Sequence, residues 1–206
     1  MLPSPQHHYL TAALGWLDLG NYLEAERELE IITPAWRVHP DVLEVRWHLY
    51  AKTARWTAAL EISSALREIA PEKPFGWIHQ ACSFHHLGRT EQAFQTLLGV
   101  VENFRHMPTI AYKLACYACH LNRLDEAIRW IEDAMNHGDY DSVSRMALID
   151  PDLKPIRNWI GVNSANRRAA LRSRKQRPPS PADLPQAPGS RFHPSLNPPD
   201  EARRSQ

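Results

Sequence analysis

The chain has 206 residues, 43% hydrophobic and 23% charged, an ordinary soluble composition that excludes a fibrous protein and allows one domain with a substantial core. Its formal net charge of +1 conceals an asymmetry: residues 1–161 carry 15 Lys/Arg against 20 Asp/Glu, and residues 162–206 carry the other 9 against 3. Three cysteines make no disulfide framework, and no run approaches the ~18 apolar residues of a membrane span.

The opening segment MLPSPQHHYL carries no Lys or Arg ahead of the apolar stretch at 9–19, so it lacks the charged region of a secretory signal. A cytoplasmic protein is expected. Tyr9, Ala13 and Trp16 then follow steps of four and three, the apolar stripe of a first helix. Gly20 supplies a turn, and Ala25, Leu29 and Ile32 form the stripe of a second helix. After Pro34 and Pro40 the pattern returns as Leu43, Trp47 and Tyr50, a turn at Ala54, then Ala59 and Leu66. Pro71 and Pro74 precede Trp77, Ala81 and Phe84, a turn at Gly88, then Ala93, Leu97 and Val100. Pro108 precedes Ala111 and Ala115, a turn at Asn122, then Ala127, Ile131 and Ala134. The fragments GNYLEA, ARWTAA, GRTEQA and NRLDEA end at Ala25, Ala59, Ala93 and Ala127, each 34 residues after the last.

These columns resemble the tetratricopeptide repeat (TPR), best seen in FGWIHQACSFHHLGRTEQAFQTLLGVV. The resemblance implies an all-α, right-handed superhelical solenoid of four helix-turn-helix units over residues 5–137, at about 6–39, 40–73, 74–107 and 108–137. Trp47 departs from a small-residue column, Ser63 from a bulky apolar one, and Ala111 and Ala118 stand for larger side chains. Residues 138–161 leave the period but keep Val143, Met146, Leu153, Ile156 and Trp159, as a solenoid's capping helices would. Asp150 and Pro151 would start the second of these. From 162 the run RRAALRSRKQR and eight prolines between Pro178 and Pro199 predict a disordered, basic, Pro-rich tail.

In the TPR family the first helix of each unit lines a concave groove that binds extended peptides or partner helices. Thirty-four-residue spacing places Leu14, His48, Cys82 and Cys116 in one such column. Leu17, Ala51, His85 and Cys119 fall in a second, and Asp18, Lys52, His86 and His120 in a third. The pentapeptide CYACH at 116–120 fits the c-type haem attachment pattern. In register it is instead the groove side of a mid-solenoid helix, without a pocket built for a macrocycle. Cys82, His85, Cys116 and Cys119 form the alternative zinc set, offering pairs three or four apart on neighbouring helices. A redox pair at Cys116 and Cys119 lacks the helix N-terminus that lowers a thiol pKa. The basic run 167–177 could attach nucleic acid through its charge alone.

No phosphate loop or nucleophile motif is present, and Glu24, Glu26, Glu28 and Glu30 are spread around one helix rather than aimed at one point. The expected function is therefore that of a non-enzymatic protein-binding scaffold without a cofactor. Its groove residues would be His48, Lys52, Phe75, His79, Cys82, His85, Tyr112, Lys113 and Cys116, and its partner a protein or peptide rather than a small-molecule substrate.

Overall fold

The computed structural model describes residues 2–176, with side chains as far as 173. Four helical hairpins follow one another: α1 (Ser4–Asp18) with α2 (Tyr22–Ile31), α3 (Pro40–Lys52) with α4 (Trp56–Ile69), α5 (Pro74–His86) with α6 (Thr90–Leu98), and α7 (Pro108–His120) with α8 (Leu124–His137). Then come α9 (Tyr140–Ile149), a 3₁₀ turn at Lys154–Ile156 and α10 (Arg157–Gln176); a second 3₁₀ turn, Pro34–Trp36, joins α2 to α3. Helices α3, α5 and α7 all begin on a proline, at 40, 74 and 108. Its missing N–H is one that a helix start leaves unbonded anyway, so the 34-residue period is written into the helix starts.

The hairpin turns share one geometry. Gly20, Ala54, Gly88 and Asn122 all have positive φ, at 74°, 56°, 76° and 58°. In each turn the next residue's N–H reaches back five positions: Asn21 to Trp16 O, Arg55 to Tyr50 O, Arg89 to Phe84 O and Arg123 to Ala118 O, at 2.8–2.9 Å. This closes the last turn of each first helix and satisfies carbonyls that would otherwise be left unpaired.

The apolar core falls into two clusters. One unites Leu10, Ala13, Ala25, Leu29, Val42 and Leu49 from α1–α3; the other runs from Ile78 through Phe94, Leu114 and Ile131 to Leu153 and Ile160. Where α3 and α4 meet α5 the chemistry changes. The buried Trp47 stacks on His79 at 3.8 Å between ring centroids, 12° from parallel, and its Nε1–H donates to Ser83 Oγ at 3.0 Å. Trp56 stacks on His86 at 3.8 Å. Arg67 donates to Gln80 Oε1 at 2.7 Å and lies over Trp77, while Gln80 Nε2 donates to Ser64 Oγ at 3.0 Å. Trp47 is thus accommodated in a column of small residues because the facing helix presents a flat ring and a hydroxyl. Ser63, fully buried where a bulky residue would be expected, returns its hydroxyl to Leu60 O at 2.9 Å.

The capping segment departs from the sequence reading in two ways. Asp150 does not start a helix at Pro151; its carboxylate accepts the Asp152 N–H at 2.9 Å, forming a side-chain-closed turn ahead of the 3₁₀ turn and α10. Helix α10 continues to Gln176, so 162–176 is helical where the tail was expected to begin. The stretch NSANRRAALRSRKQ is rich in strong helix formers and meets no proline before Pro178. By internal packing the described residues as far as Asn166 form one compact unit, and the described part of α10 from Arg167 belongs to a second. The remainder of the expected tail, 177–206, lies outside the described residues.

Two glycines in helices should respond oppositely to alanine. A Cβ on Gly76 would come within 2.9 Å of the Arg67 backbone nitrogen and 3.0 Å of its Cα, so Gly76→Ala must push α5 away from α4. Gly15 has nothing within 4 Å of that position. Urea unfolding should show Gly76→Ala destabilised by about 1–3 kcal/mol and Gly15→Ala stabilised by about 0.5–1 kcal/mol.

Candidate functional site

The first helices of the hairpins carry nearly all the predicted site residues, and two hollows lie on them. The first, about 330 Å³, is lined by Leu14, Leu17 and Asp18 of α1 and His48 and Lys52 of α3. The second, about 210 Å³, is lined by Cys82, His85 and His86 of α5, by Tyr112, Lys113, Cys116 and Tyr117 of α7, and by Asp150 and Asp152. His79 and Phe75 lie between them, the Phe75 ring centroid 6.3 Å from that of His79 and His48 meeting His79 edge-on at 5.2 Å.

The predicted residues divide by exposure. His48 and Phe75 are exposed, whereas His79 keeps 6% of its surface. Burial, helped by His48 and Lys113, pulls the His79 pKa down from 6.5 to about 3, and its Nε2 has no hydrogen-bond partner. His79 is therefore a neutral aromatic plate that carries Trp47. Burial likewise lowers His48, with Lys52 adding to the effect, and lowers His86, which is stacked on Trp56. His48, His79 and His86 thus favour their neutral forms.

The α7 end differs from the sequence reading, which left CYACH facing an open groove. Tyr112 donates to Asp150 Oδ2 at 2.8 Å, and His120 Nε2 pairs with Asp152 Oδ1 at 3.0 Å, so the turn after α9 lies on the α7 face. Cys116 and Cys119 are buried, with 6% and 7% of their surface exposed. Burial raises all three thiols, Cys119 to about 11, and the neighbouring Asp150 and Asp152 add to the rise at Cys116 and Cys119. The four residues of the sequence-read zinc set, Cys82, His85, Cys116 and Cys119, do not share one cluster of converging ligand atoms. His85 instead converges with His120 and Asp152, Cys116 with Asp150 and Asp152, and His48 and His79 with Glu44.

Sequence reasoning missed Asp150 and Asp152 because their positions depend on how the cap folds back, and Trp47 because it read as a departure from the pattern. Glu24, Glu26 and Glu30 serve ion pairs, with Arg27, Arg55 and the Arg37/Arg46 couple. Their role is structural, as their spread around α2 implied.

No protein-family model matches the chain, and no curated protein does. Among solved structures, MamA AMB-1 C2221 matches with a TM-score of 0.55 and 19% identity over 82% of this chain and 95% of that one. MamA MSR-1 C2 gives 0.55 and 18% over 80% and 98%. MamA is a TPR-repeat protein. The fold is a TPR-like solenoid. At this identity the likeness concerns the fold alone, in which α1, α3, α5 and α7 are the first helices of the four hairpins. Among the described residues no helix is long and apolar enough to cross a membrane.

His79 predicts a pH dependence whose sign can be worked out. Between about pH 3 and 6.5 the unfolded chain protonates His79 and the folded chain does not. Stability therefore rises with pH across that window and falls on acidification. Urea midpoints from pH 7 to 4 should show His79→Phe with a shallower slope, by up to about 1.4 kcal/mol per pH unit.

Proposed function

We propose that the protein is a non-enzymatic scaffold that binds a segment of a partner protein, an extended peptide or a helix, against the faces of α1, α3 and α5. The observation that carries this reading is the unequal occupancy of the TPR face. On α7 the 150–152 turn already takes up Tyr112 and His120, while on α1, α3 and α5 Leu14 and Phe75 are each left 43% exposed. The hollow at Leu14, Leu17, His48 and Lys52 joins apolar walls to a cationic end, which fits apolar side chains flanked by a carboxylate. Asp18 lines the same hollow, so a bound segment would meet one group of each sign there, Lys52 and Asp18. The chemistry favours binding over catalysis, because the thiols are held protonated and Tyr112 is pushed well above its ordinary range by burial and by Asp150.

This assigns His48, Lys52 and Phe75 to direct contact. His79 becomes the support beneath them, and Tyr112 a residue already engaged within the chain. Placing a photo-crosslinking amino acid at 52, 75 or 129 in the full chain tests the reading, since Arg129 lies on α8, a second helix of its unit. Cross-linked partner is expected from 52 and 75 but not from 129. The double variant Lys52→Glu, Phe75→Ala should retain its helical spectrum and lose at least about tenfold in affinity for the captured partner. Capture from 129 alone, or unchanged affinity in the double variant, would place the binding surface elsewhere.

A further inference from the structure

We propose that His85, His120 and Asp152 bind one divalent transition-metal ion of the zinc class. The three come from separate elements, α5, the end of α7 and the turn after α9, and offer ligating atoms that all lie within 4.8 Å of one another. A tetrahedral ion with bonds of about 2.0–2.1 Å holds its ligand atoms about 3.3 Å apart. The 3.0 Å separation of His120 Nε2 and Asp152 Oδ1 is already close to that edge. The His85 ring stands beside that pair, its centroid 4.6 Å from that of His120.

Two further features favour an ion. His85 Nδ1 is 3.0 Å from Thr90 Oγ1. A proton on Nδ1 donated to that hydroxyl leaves the Nε2 lone pair for a metal, the orienting bond that histidine ligands ordinarily have. Finally, the Tyr117 hydroxyl, in a side chain with 3% exposure, lines the same hollow and has no hydrogen-bond partner. Around the hollow two carboxylates, Asp150 and Asp152, outweigh the single ammonium of Lys113.

The donor set is nitrogen and oxygen rather than thiolate. Neither Cys116 nor Cys119, both buried, belongs to the group of ligand atoms that converges with His85 and His120. The Glu44, His48 and His79 cluster is a poorer candidate, because the stack on Trp47 fixes the His79 ring.

The test is titration of the full chain, free of any histidine tag, with zinc chloride by calorimetry and with cobalt(II) by absorption spectroscopy. One equivalent is expected per chain, with visible cobalt bands and no near-ultraviolet thiolate charge-transfer band. His85→Gln, His120→Gln and Asp152→Asn should each weaken zinc at least about tenfold, while His48→Ala leaves it unchanged. His120 and Asp152 are about 40% exposed, so those two variants should keep the wild-type helical spectrum and report on binding alone. Absence of binding by the wild type, binding that survives all three substitutions, loss of binding in His48→Ala, or a thiolate band would each overturn the assignment.

Discussion

The contact on which the architecture turns is the stack of Trp47 on His79, with the indole N–H bonded to Ser83. The aliphatic core does not run unbroken through the solenoid; it forms one cluster in α1–α3 and another from α5 onward. Between them the helices meet through flat rings, amides and a guanidinium. Such a junction depends on direction as well as on area, since a ring stack and a 3.0 Å hydrogen bond hold only in one register. It therefore fixes how the second hairpin meets the third, and with that the spacing of Lys52 and His48 on α3 and Phe75 on α5 along the candidate binding face.

The repeat is legible in the chain because its signals are local. Proline sets the starts of α3, α5 and α7, and Gly20, Gly88 and Asn122 supply the left-handed residue that ends each first helix. Even Ala54, with no intrinsic preference for that conformation, adopts it at φ 56° because the helices on either side impose it. Long-range features were not legible. Register predicted a groove-facing side for Cys116 and Cys119, but whether that side is open depends on a turn more than thirty residues later. Asp150 has the sequence signature of a helix cap and its carboxylate does accept a backbone N–H, but it closes a turn and also receives the Tyr112 hydroxyl.

The same folding back sets the surroundings of the pentapeptide CYACH. Ala115 and Ala118 pack into the core, Cys116 and Cys119 are covered from the other side, and only His120 reaches solvent, where it meets Asp152. The histidines of the first helices are likewise divided by their neighbours. His79 and His86 serve as aromatic surfaces against tryptophans, while His85 and His120 turn their nitrogens toward polar partners.

The separation of the two apolar clusters also bears on cooperativity. In a repeat protein each unit is coupled to its neighbours alone, and the chain melts as one body only while every coupling exceeds the instability of the units it joins. Here the α4–α5 coupling is of a different kind from the others. Hydrophobic contact tolerates small sliding, whereas the aromatic and hydrogen-bonded junction is lost abruptly once its alignment fails. Lys52 lies on α3 and Phe75 on α5, so the candidate binding face crosses that junction and depends on its alignment.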